Sequence, residues 1–311
     1  MRILISGSHG FIGNALCEKL SKAGHEIIRV VHRNPVAGEI LIDYKNSVLR
    51  RTSDTDQGLR EDEGLLPESV FDVVINLAGE PITASRWDSA QRAKLYDSRI
   101  ATTKILGDAL AELDQKPKVF ISGSAVGYYG SRKDEILTET SKKGTGFLSD
   151  LCEKWEETAL SFQTPETRVA LLRTGIVLKK EGGLLKSVLP MFKNGVAGKL
   201  GSGQQWMSWI SMADMLEAVE FIMSNDAIIG PVNITAPEPV QNVDMTHILA
   251  GLCKKPAHLN MPQLALELAF GKVTTAEFVL ASQRTLPNVL TEAGFDFTYP
   301  NIEDALQYAL G

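Results

Sequence analysis

The sequence predicts an α/β protein: a doubly wound parallel sheet with a smaller, mostly helical C-terminal cap. Three observations support this fold class. Strand-like and helix-like runs alternate through residues 1–175, a glycine-rich turn joins the first strand to the first helix, and the last part of the chain contains helical segments separated by prolines. Alternation of this kind is typical of parallel strands joined by helical crossovers.

The predicted parallel strands are short apolar runs. Residues 73–75 and 170–172 are apolar throughout, as expected for strands covered on both faces. The predicted strands are Arg2–Ser6, Glu26–Val31, 39–42, 71–77, 119–123, 169–173 and 231–234, and the clearest helices are 11–23, 146–158 and 214–223. Residues 52–64 are polar and acidic, which predicts a mobile surface loop.

The chain is predicted to form two units. Residues 1–175 make a Rossmann-type core, and residues 205–235 return to it. Residues 176–204 and 236–311 make the cap. The glycines between positions 182 and 203 predict a lid or substrate loop, so the cleft between core and cap is the expected substrate site.

Composition argues against several classes of protein. The formal net charge is -6 and no Lys/Arg cluster forms a stripe, so a nucleic-acid partner is not expected. The apolar runs have strand length, so no membrane span is expected, and the chain enters its first strand too early for a signal peptide. Cys17, Cys152 and Cys253 lack metal-ligand or disulfide spacing, which predicts no metal site and a reducing, cytoplasmic location.

Gly7, Gly10 and Gly13 lie between the first strand and the first helix, which opens with Phe11 and Ile12. Glycine has a different use at each position. The first permits a tight turn, the second lets the backbone approach a phosphate, and the third lets helix and strand pack closely. This arrangement predicts a dinucleotide whose pyrophosphate lies at a helix N-terminus.

His32 and Arg33 follow the second strand, where NAD-binding folds carry an acidic residue for the ribose hydroxyls. An arginine there accommodates the 2'-phosphate of NADP instead. A charged contact between the guanidinium and this phosphate would contribute ~1.5–3 kcal/mol, which corresponds to a preference for NADP over NAD of roughly 10–100-fold. The alternative is that Arg33 is a solvated turn residue.

The end of the predicted strand at residues 71–77 also carries small residues. Asn76, Leu77, Ala78 and Gly79 close that strand, where the backbone must pass close to a cofactor. Glu80 follows, and it either reaches the cofactor pocket or caps the next helix.

Taken together, the motifs resemble those of the extended short-chain dehydrogenase/reductases. More narrowly, the chain resembles the atypical epimerase family related to nucleotide-sugar epimerases, from Met1 to Gly311, with a C-terminal segment whose role in that family is unknown. The motifs are Gly7-x-x-Gly10-x-x-Gly13, Asn76-Leu77-Ala78-Gly79-Glu80-Pro81, Ser98-Arg99, Ser122-Gly123-Ser124-Ala125-Val126-Gly127-Tyr128-Tyr129-Gly130, Lys154-Trp155-Glu156, Leu172-Arg173-Thr174-Gly175 and Gly201-x-Gly203-x-Gln205-x-x-Ser208-Trp209-Ile210.

The resemblance implies a Rossmann fold, NADP(H) binding, a small-molecule substrate, a homodimer, and Ser124 as the substrate-facing serine. It also implies that Arg99, Ser122 and Arg173 belong to the cofactor-binding residues. On residue type alone, Arg99 is either an anion-binding residue or an ordinary helix arginine, solvated or salt-bridged.

The Tyr-x-x-x-Lys pair of short-chain dehydrogenases is missing from the expected helix. In the family's register, marked by Glu156, that helix offers Leu148 and Cys152, and neither can replace the pair in proton transfer. Tyr129 and Lys133 have the same spacing, but they lie across a glycine-containing loop.

Tyr129 therefore has two readings, a packing residue or a replacement acid facing the substrate. The leading hypothesis for the whole chain is hydride transfer, as a reductase or epimerase, on a small substrate that is nucleotide-linked or carries a carbonyl group. The rival is a non-catalytic, redox-sensing or regulatory protein that binds NADP(H), of the kind linked to cell division in some relatives.

Overall fold

The computed structural model describes residues 1–55, 58–65 and 68–311. The strands are β1 (Arg2–Ser6), β2 (Glu26–Val31), β3 (Ile40–Asp43), β4 (Val48–Thr55), β5 (Gly58–Glu63), β6 (Val73–Asn76), β7 (Val119–Ala125), β8 (Ile136–Leu137), β9 (Arg168–Thr174), β10 (Ile176–Leu178), β11 (Trp206–Met207), β12 (Trp209–Ser211), β13 (Gly230–Ile234), β14 (Val240–Gln241) and β15 (Arg284–Thr285). The helices are α1 (Phe11–Lys22), α2 (Ser89–Ala111), α3 (Phe147–Leu160), α4 (Gly183–Lys193), α5 (Met212–Ser224), α6 (Asn242–Cys253), α7 (Gln263–Phe270), α8 (Lys272–Thr274), α9 (Asn288–Glu292) and α10 (Ile302–Leu310).

The main sheet confirms the predicted fold class. Its described strands follow the order β13-β9-β7-β6-β1-β2-β3-β4-β5, and every pair from β13 to β3 is parallel. Chain order reverses at β1, which lies between β2 and β6. In such sheets ligands bind at the carboxyl ends of the strands beside this reversal.

Both faces of the sheet are covered by helices, which explains the continuously apolar strands. Ile3 and Ile5 of β1 point to the face that α1 and α5 cover, and Leu4 points to the face that α2 covers. The α1 residues in this core, such as Leu16 and Leu20, recur at helical spacing and are fully buried. The same periodicity predicted the helix from sequence.

The prediction of a mobile loop at residues 52–64 is wrong for its described part. Strand β4 pairs antiparallel with β3, and β5 pairs antiparallel with β4, at the edge of the sheet; residues 56 and 57 lie outside the described residues. Thr52 Oγ1 donates to the carbonyl oxygens of Val36 and Glu39, at 2.7 Å each. The strands were missed because an edge hairpin buries little apolar surface, so its sequence is polar.

The glycine-rich region after residue 176 also differs from the predicted lid. Helix α4 occupies much of it and buries Leu185, Leu189 and Phe192 in a second core with α6 and α10. The following residues are bound to the C-terminal segment, because the Gly201 N–H donates to the Met261 carbonyl oxygen at 2.9 Å. Most of the predicted lid is therefore packed structure.

The C-terminal segment, residues 261–309, is joined to the core at several points. Strand β15 pairs in parallel with β8, so that Arg284 aligns with Ile136. The Glu277 carboxylate accepts a hydrogen bond from the Leu148 N–H at the start of α3, at 3.1 Å. The division into units at residues 175, 205 and 235 stays a prediction. No helix in the described ranges combines the length and apolarity that crossing a bilayer requires.

Candidate functional site

The turn between β1 and α1 has the geometry that its glycines predict. Gly7 has φ +72, and a Cβ there would lie 2.6 Å from the carbonyl carbon of Leu77. A Cβ on Gly13 would lie 2.1 Å from the Gly7 carbonyl oxygen. Both glycines are therefore required by the backbone itself: Gly7 by its conformation and its contact with Leu77, and Gly13 by the close approach of α1 to the turn that precedes it.

Gly10 is the N-cap of α1, and its backbone N–H donates to the Gly7 carbonyl oxygen at 2.9 Å. Having no side chain, it leaves the first N–H groups of the helix without a side-chain acceptor, which suits an anion. The side chains of Phe11 and Ile12 pack against the core, and Phe11 also covers Gly182 ahead of α4. These two residues thus offer the turn their backbone only.

His32 and Arg33 are exposed beyond the end of β2. The side chain of Arg33 makes no ion pair with the residues that the structure describes. Arg29, on β2 itself, donates from Nη1 to the Ser8 carbonyl oxygen at 3.2 Å and so holds the glycine turn. The structure therefore leaves the Arg33 guanidinium exposed and without an ion-pair partner among the described residues.

A buried polar network lies under the carboxyl ends of β1 and β6. Ser6 Oγ donates to Asn76 Oδ1 at 2.6 Å, and the Asn76 amide donates to Thr103 Oγ1 at 2.8 Å. Trp155 Nε1 donates to the same Thr103 oxygen at 3.0 Å. Asn76 Oδ1 also accepts from the Ala78 N–H at 3.3 Å. Asn76 thus fixes the loop that follows β6, and its side chain is fully buried.

Glu80 and Arg99 meet above this network. Arg99, on α2, donates from Nη2 to the Glu80 carbonyl oxygen and from Nη1 to the Leu95 carbonyl oxygen, at 3.1 Å each. The alternative that Glu80 caps the following helix is wrong, because α2 begins at Ser89 and its N-cap is Asp88. Asp88 accepts from the Gln91 N–H at 2.8 Å and supplies the expected cap.

Ser124, at the end of β7, is bonded to a buried ion pair. Its Oγ donates to Glu156 Oε1 at 2.6 Å. Arg173 donates to both oxygens of the same carboxylate, from Nε to Oε1 and from Nη2 to Oε2, at 2.8 Å each. The side chains of Arg173 and Glu156 are only 4% and 6% exposed. Arg173 therefore holds Glu156, which orients the Ser124 hydroxyl, and Arg173 has its own carboxylate partner without any ligand.

Ser122 and Tyr129 are both completely buried. Tyr129 donates from its hydroxyl to Asn233 Oδ1 at 2.6 Å and accepts from Arg173 Nη1 at 3.0 Å. Burial is the main reason that the pKa of Tyr129 is raised to about 12. Of the two readings of Tyr129, these contacts favour packing, because a satisfied and buried phenol has no access to a substrate.

Helix α3 carries Leu148 and Cys152 where the family's tyrosine and lysine would lie, and both side chains are buried. Burial raises the pKa of the Cys152 thiol to about 12. Lys133 has φ +52 in the loop before β8, and its carbonyl oxygen accepts from Ser282 Oγ at 2.7 Å. Tyr129 and Lys133 therefore do not form a dyad on a helix.

The sequence did not single out Glu139 and Asn233. Glu139 Oε1 accepts from the backbone N–H groups of Asn233 and Val289, at 3.0 and 3.2 Å. Burial is the main cause of the raised pKa of the Glu139 carboxyl. Neither residue lies in a recognisable motif, and the partners of Glu139 are 94 and 150 residues away, so no local signal marks them.

Three further side chains, two tryptophans and an arginine, have protein partners. Trp209 is fully buried, and its Nε1 donates to the Glu238 carbonyl oxygen at 2.9 Å, whereas Trp206 Nε1 donates to Asp134 at 2.8 Å. Arg86 donates to the carbonyl oxygens of Leu268 and Ala269 in α7. Within the described ranges, no cluster of His, Cys, Asp and Glu has an arrangement that could hold a metal ion.

Residues 3–235 match the model of the NAD dependent epimerase/dehydratase family. The chain belongs to this family. Residues 261–309 match a second model, DUF1731, a domain of unknown function. The chain is 39% identical to an epimerase family protein of Mycobacterium bovis over 99% of its own length and 97% of that protein.

Two solved structures share the fold over the whole chain. The crystal structure of the human epimerase family protein SDR39U1 (isoform 2) with NADPH is 28% identical, with a TM-score of 0.88 and full coverage of both chains. That of a nucleoside-diphosphate sugar epimerase from Corynebacterium glutamicum is 33% identical, with a TM-score of 0.76, and this chain covers 58% of it.

Proposed function

We propose that this protein binds NADP(H) in the crevice beside β1 and transfers hydride to or from a small, carbonyl-bearing or nucleotide-linked substrate. The observation that carries the proposal is the glycine turn at the strand reversal. Gly7 and Gly13 are required there by backbone contact, while Gly10 leaves a helix N-terminus uncovered. The human relative that was crystallised with NADPH supports the same cofactor.

The residues around the crevice suit the parts of this cofactor. Backbone N–H groups at the start of α1 would bind the pyrophosphate, and exposed Arg33 would bind the 2'-phosphate. When bound, the nicotinamide supplies or accepts a hydride. The protein's part in the chemistry would be Ser124, which is 6% exposed. Its hydroxyl hydrogen is directed to Glu156, so its oxygen is left to accept a hydrogen bond from a substrate hydroxyl.

A calorimetric titration with NADPH and NADH tests cofactor choice. Arg33→Ala should weaken NADPH binding roughly 10–100-fold and NADH binding little, because only NADPH carries the 2'-phosphate. Lys22→Ala is the matched control, since Lys22 is an exposed cation in the last turn of α1. An unchanged NADPH to NADH ratio in Arg33→Ala would assign Arg33 to the solvated surface.

The glycine turn is tested by Gly10→Val, which places a branched side chain where the pyrophosphate must approach. Binding of either cofactor should be lost while the protein stays folded. Gly251→Val is the control, because Gly251 lies on α6 with open space around its Cα. Retained affinity in folded Gly10→Val would remove the turn from the site.

The second candidate is a regulatory protein that binds NADP(H) without turnover. Leu148 and Cys152 in place of the dyad, together with the burial of Tyr129, favour it. Mass spectrometry of the supernatant from denatured protein would identify copurified NADP(H) and any substrate. If a reaction is found, Ser124→Ala should lower kcat and leave NADPH affinity nearly intact, as expected for a contact made in the transition state.

Lys133→Ala should change neither turnover nor affinity by more than a few-fold. A broad substrate screen without turnover, with a cellular effect that is lost only in Gly10→Val, would favour the regulatory candidate.

A homodimer and a cytoplasmic location remain predictions. The second is in keeping with the three cysteines, none of which forms a disulfide.

A further inference from the structure

Arg99 is a buried arginine without a carboxylate partner in the described part of the chain. It is 9% exposed, and its hydrogen bonds within the described residues go to neutral oxygens: the carbonyls of Leu95 and Glu80 and the hydroxyl of Ser98. Buried charges are normally paired, as Arg173 is with Glu156. A guanidinium has several N–H donors, so Arg99 retains donors for a ligand.

The guanidinium of Arg99 lies between the loop after β6 and helix α3. A Cβ on Gly79 would lie 3.0 Å from Arg99 Cζ, so the side chain lies directly against that backbone. Gly79 is itself exposed. On the other side, Arg99 Cζ is 5.2 Å from the centre of the Trp155 ring. Arg99 therefore connects the crevice edge of the sheet with α3.

Trp155 and Cys152 are three residues apart and share one face of α3. Burial is the main cause of the raised pKa of the Cys152 thiol; the charge of Glu156 raises it further, and the charge of Arg99 lowers it. Position 152 is where the family register places the lysine of the missing pair. Helix α3 lacks this lysine, but Arg99 on α2 places a positive charge beside it.

We propose that the Arg99 guanidinium occupies the place of the missing lysine and donates hydrogen bonds to the nicotinamide-ribose half of bound NADP(H). This rests on the proposed NADP(H) function. Arg99 restores the cation of the pair but not its phenol, since Leu148 stands at the tyrosine position. The site therefore keeps the means to hold the nicotinamide end of the cofactor and has lost the usual proton donor.

The test compares NADPH with adenosine 2',5'-bisphosphate, which lacks the nicotinamide half, by calorimetric titration. Arg99→Met, which removes the charge at similar length, should weaken NADPH binding about tenfold or more and leave bisphosphate affinity within about twofold. Arg33→Ala should weaken binding of both ligands. Circular dichroism and thermal unfolding establish that each variant is folded.

The outcomes separate the two claims. If the unaltered protein binds neither ligand, the proposed function fails. If it binds both but folded Arg99→Met retains full NADPH affinity, or loses affinity equally for both ligands, only the role of Arg99 is overturned.

A charge exchange between the two helices gives an independent test, which also decides the matter if Arg99→Met does not fold. Cys152→Lys should lower the thermal midpoint more in the presence of Arg99 than in Arg99→Asn, because two cations would then share one buried space. The double variant Arg99→Asn/Cys152→Lys should regain at least about fivefold of the NADPH affinity that Arg99→Asn loses. A double variant that does not fold, or that folds without this gain, contradicts the shared position.

Discussion

The ion pair between Glu156 and Arg173 offers the sharpest test of how the site is held. Both side chains are almost inaccessible to water, and they share two hydrogen bonds of 2.8 Å. Glu156→Gln keeps the size of the side chain but removes its charge, which leaves the Arg173 cation buried without a partner. Breaking a buried pair in this way costs about 3–5 kcal/mol, far more than an exposed pair.

The free energy of unfolding, measured by urea denaturation, should therefore fall by about 3–5 kcal/mol in Glu156→Gln. Asp108→Asn is the control, because its pair with Lys104 is exposed and should contribute about 0.3–0.5 kcal/mol. In Glu156→Gln/Arg173→Met no buried cation remains, so the double variant should lose less stability than the two single losses added together.

The result that refutes the reasoning is a loss in Glu156→Gln within about 1 kcal/mol of that in Asp108→Asn. Additive losses in the double variant would likewise contradict direct coupling. Either result would mean that water or a backbone shift relieves the charge of Arg173.

The other predictions concern the turn, the buried phenol and the cysteines. Gly13→Ala should lower unfolding free energy by about 1–3 kcal/mol or more, because its Cβ would meet the Gly7 carbonyl oxygen at 2.1 Å, whereas Gly251→Ala should not be destabilising. Because the pKa of Tyr129 is raised to about 12, its contribution to stability should be complete below about pH 10 and be lost as pH rises towards about 12. The free energy of unfolding, measured across this pH range, should therefore fall more steeply in the unaltered protein than in Tyr129→Phe. Thiol alkylation of native protein, located by peptide mass spectrometry, should modify Cys253 and spare the other two cysteines, which are buried; prompt labelling of either would contradict this.

The local parts of the fold were predictable from sequence. The turn at Gly7, Gly10 and Gly13 was recognisable because strand, turn and helix are consecutive and each glycine has a steric reason. Strands such as Arg2–Ser6 were found because burial on both faces makes their central residues, here Ile3, Leu4 and Ile5, continuously apolar. Helix α4 was missed because the glycines around it dominated the composition of the region.

The burial of site residues was less predictable, because it depends on distant partners. Tyr129 belongs to a family motif, yet its hydroxyl is bonded to Asn233, more than a hundred residues later. Arg173 was assigned to the cofactor, but the structure pairs it with Glu156 from a different element. Residue type and spacing suggest which chemistry is available, while the direction of a side chain is decided by tertiary packing.

The parallel pairing of β15 with β8 has a consequence for how the protein forms during synthesis. The loop after Tyr129 depends on residues near the C-terminus, since Arg284 aligns with Ile136 and Val289 donates to Glu139. Contacts so far apart in sequence are slow to form. During synthesis the parallel sheet can therefore form before Arg284 and Val289 have left the ribosome, and the loop after Tyr129 completes its packing last.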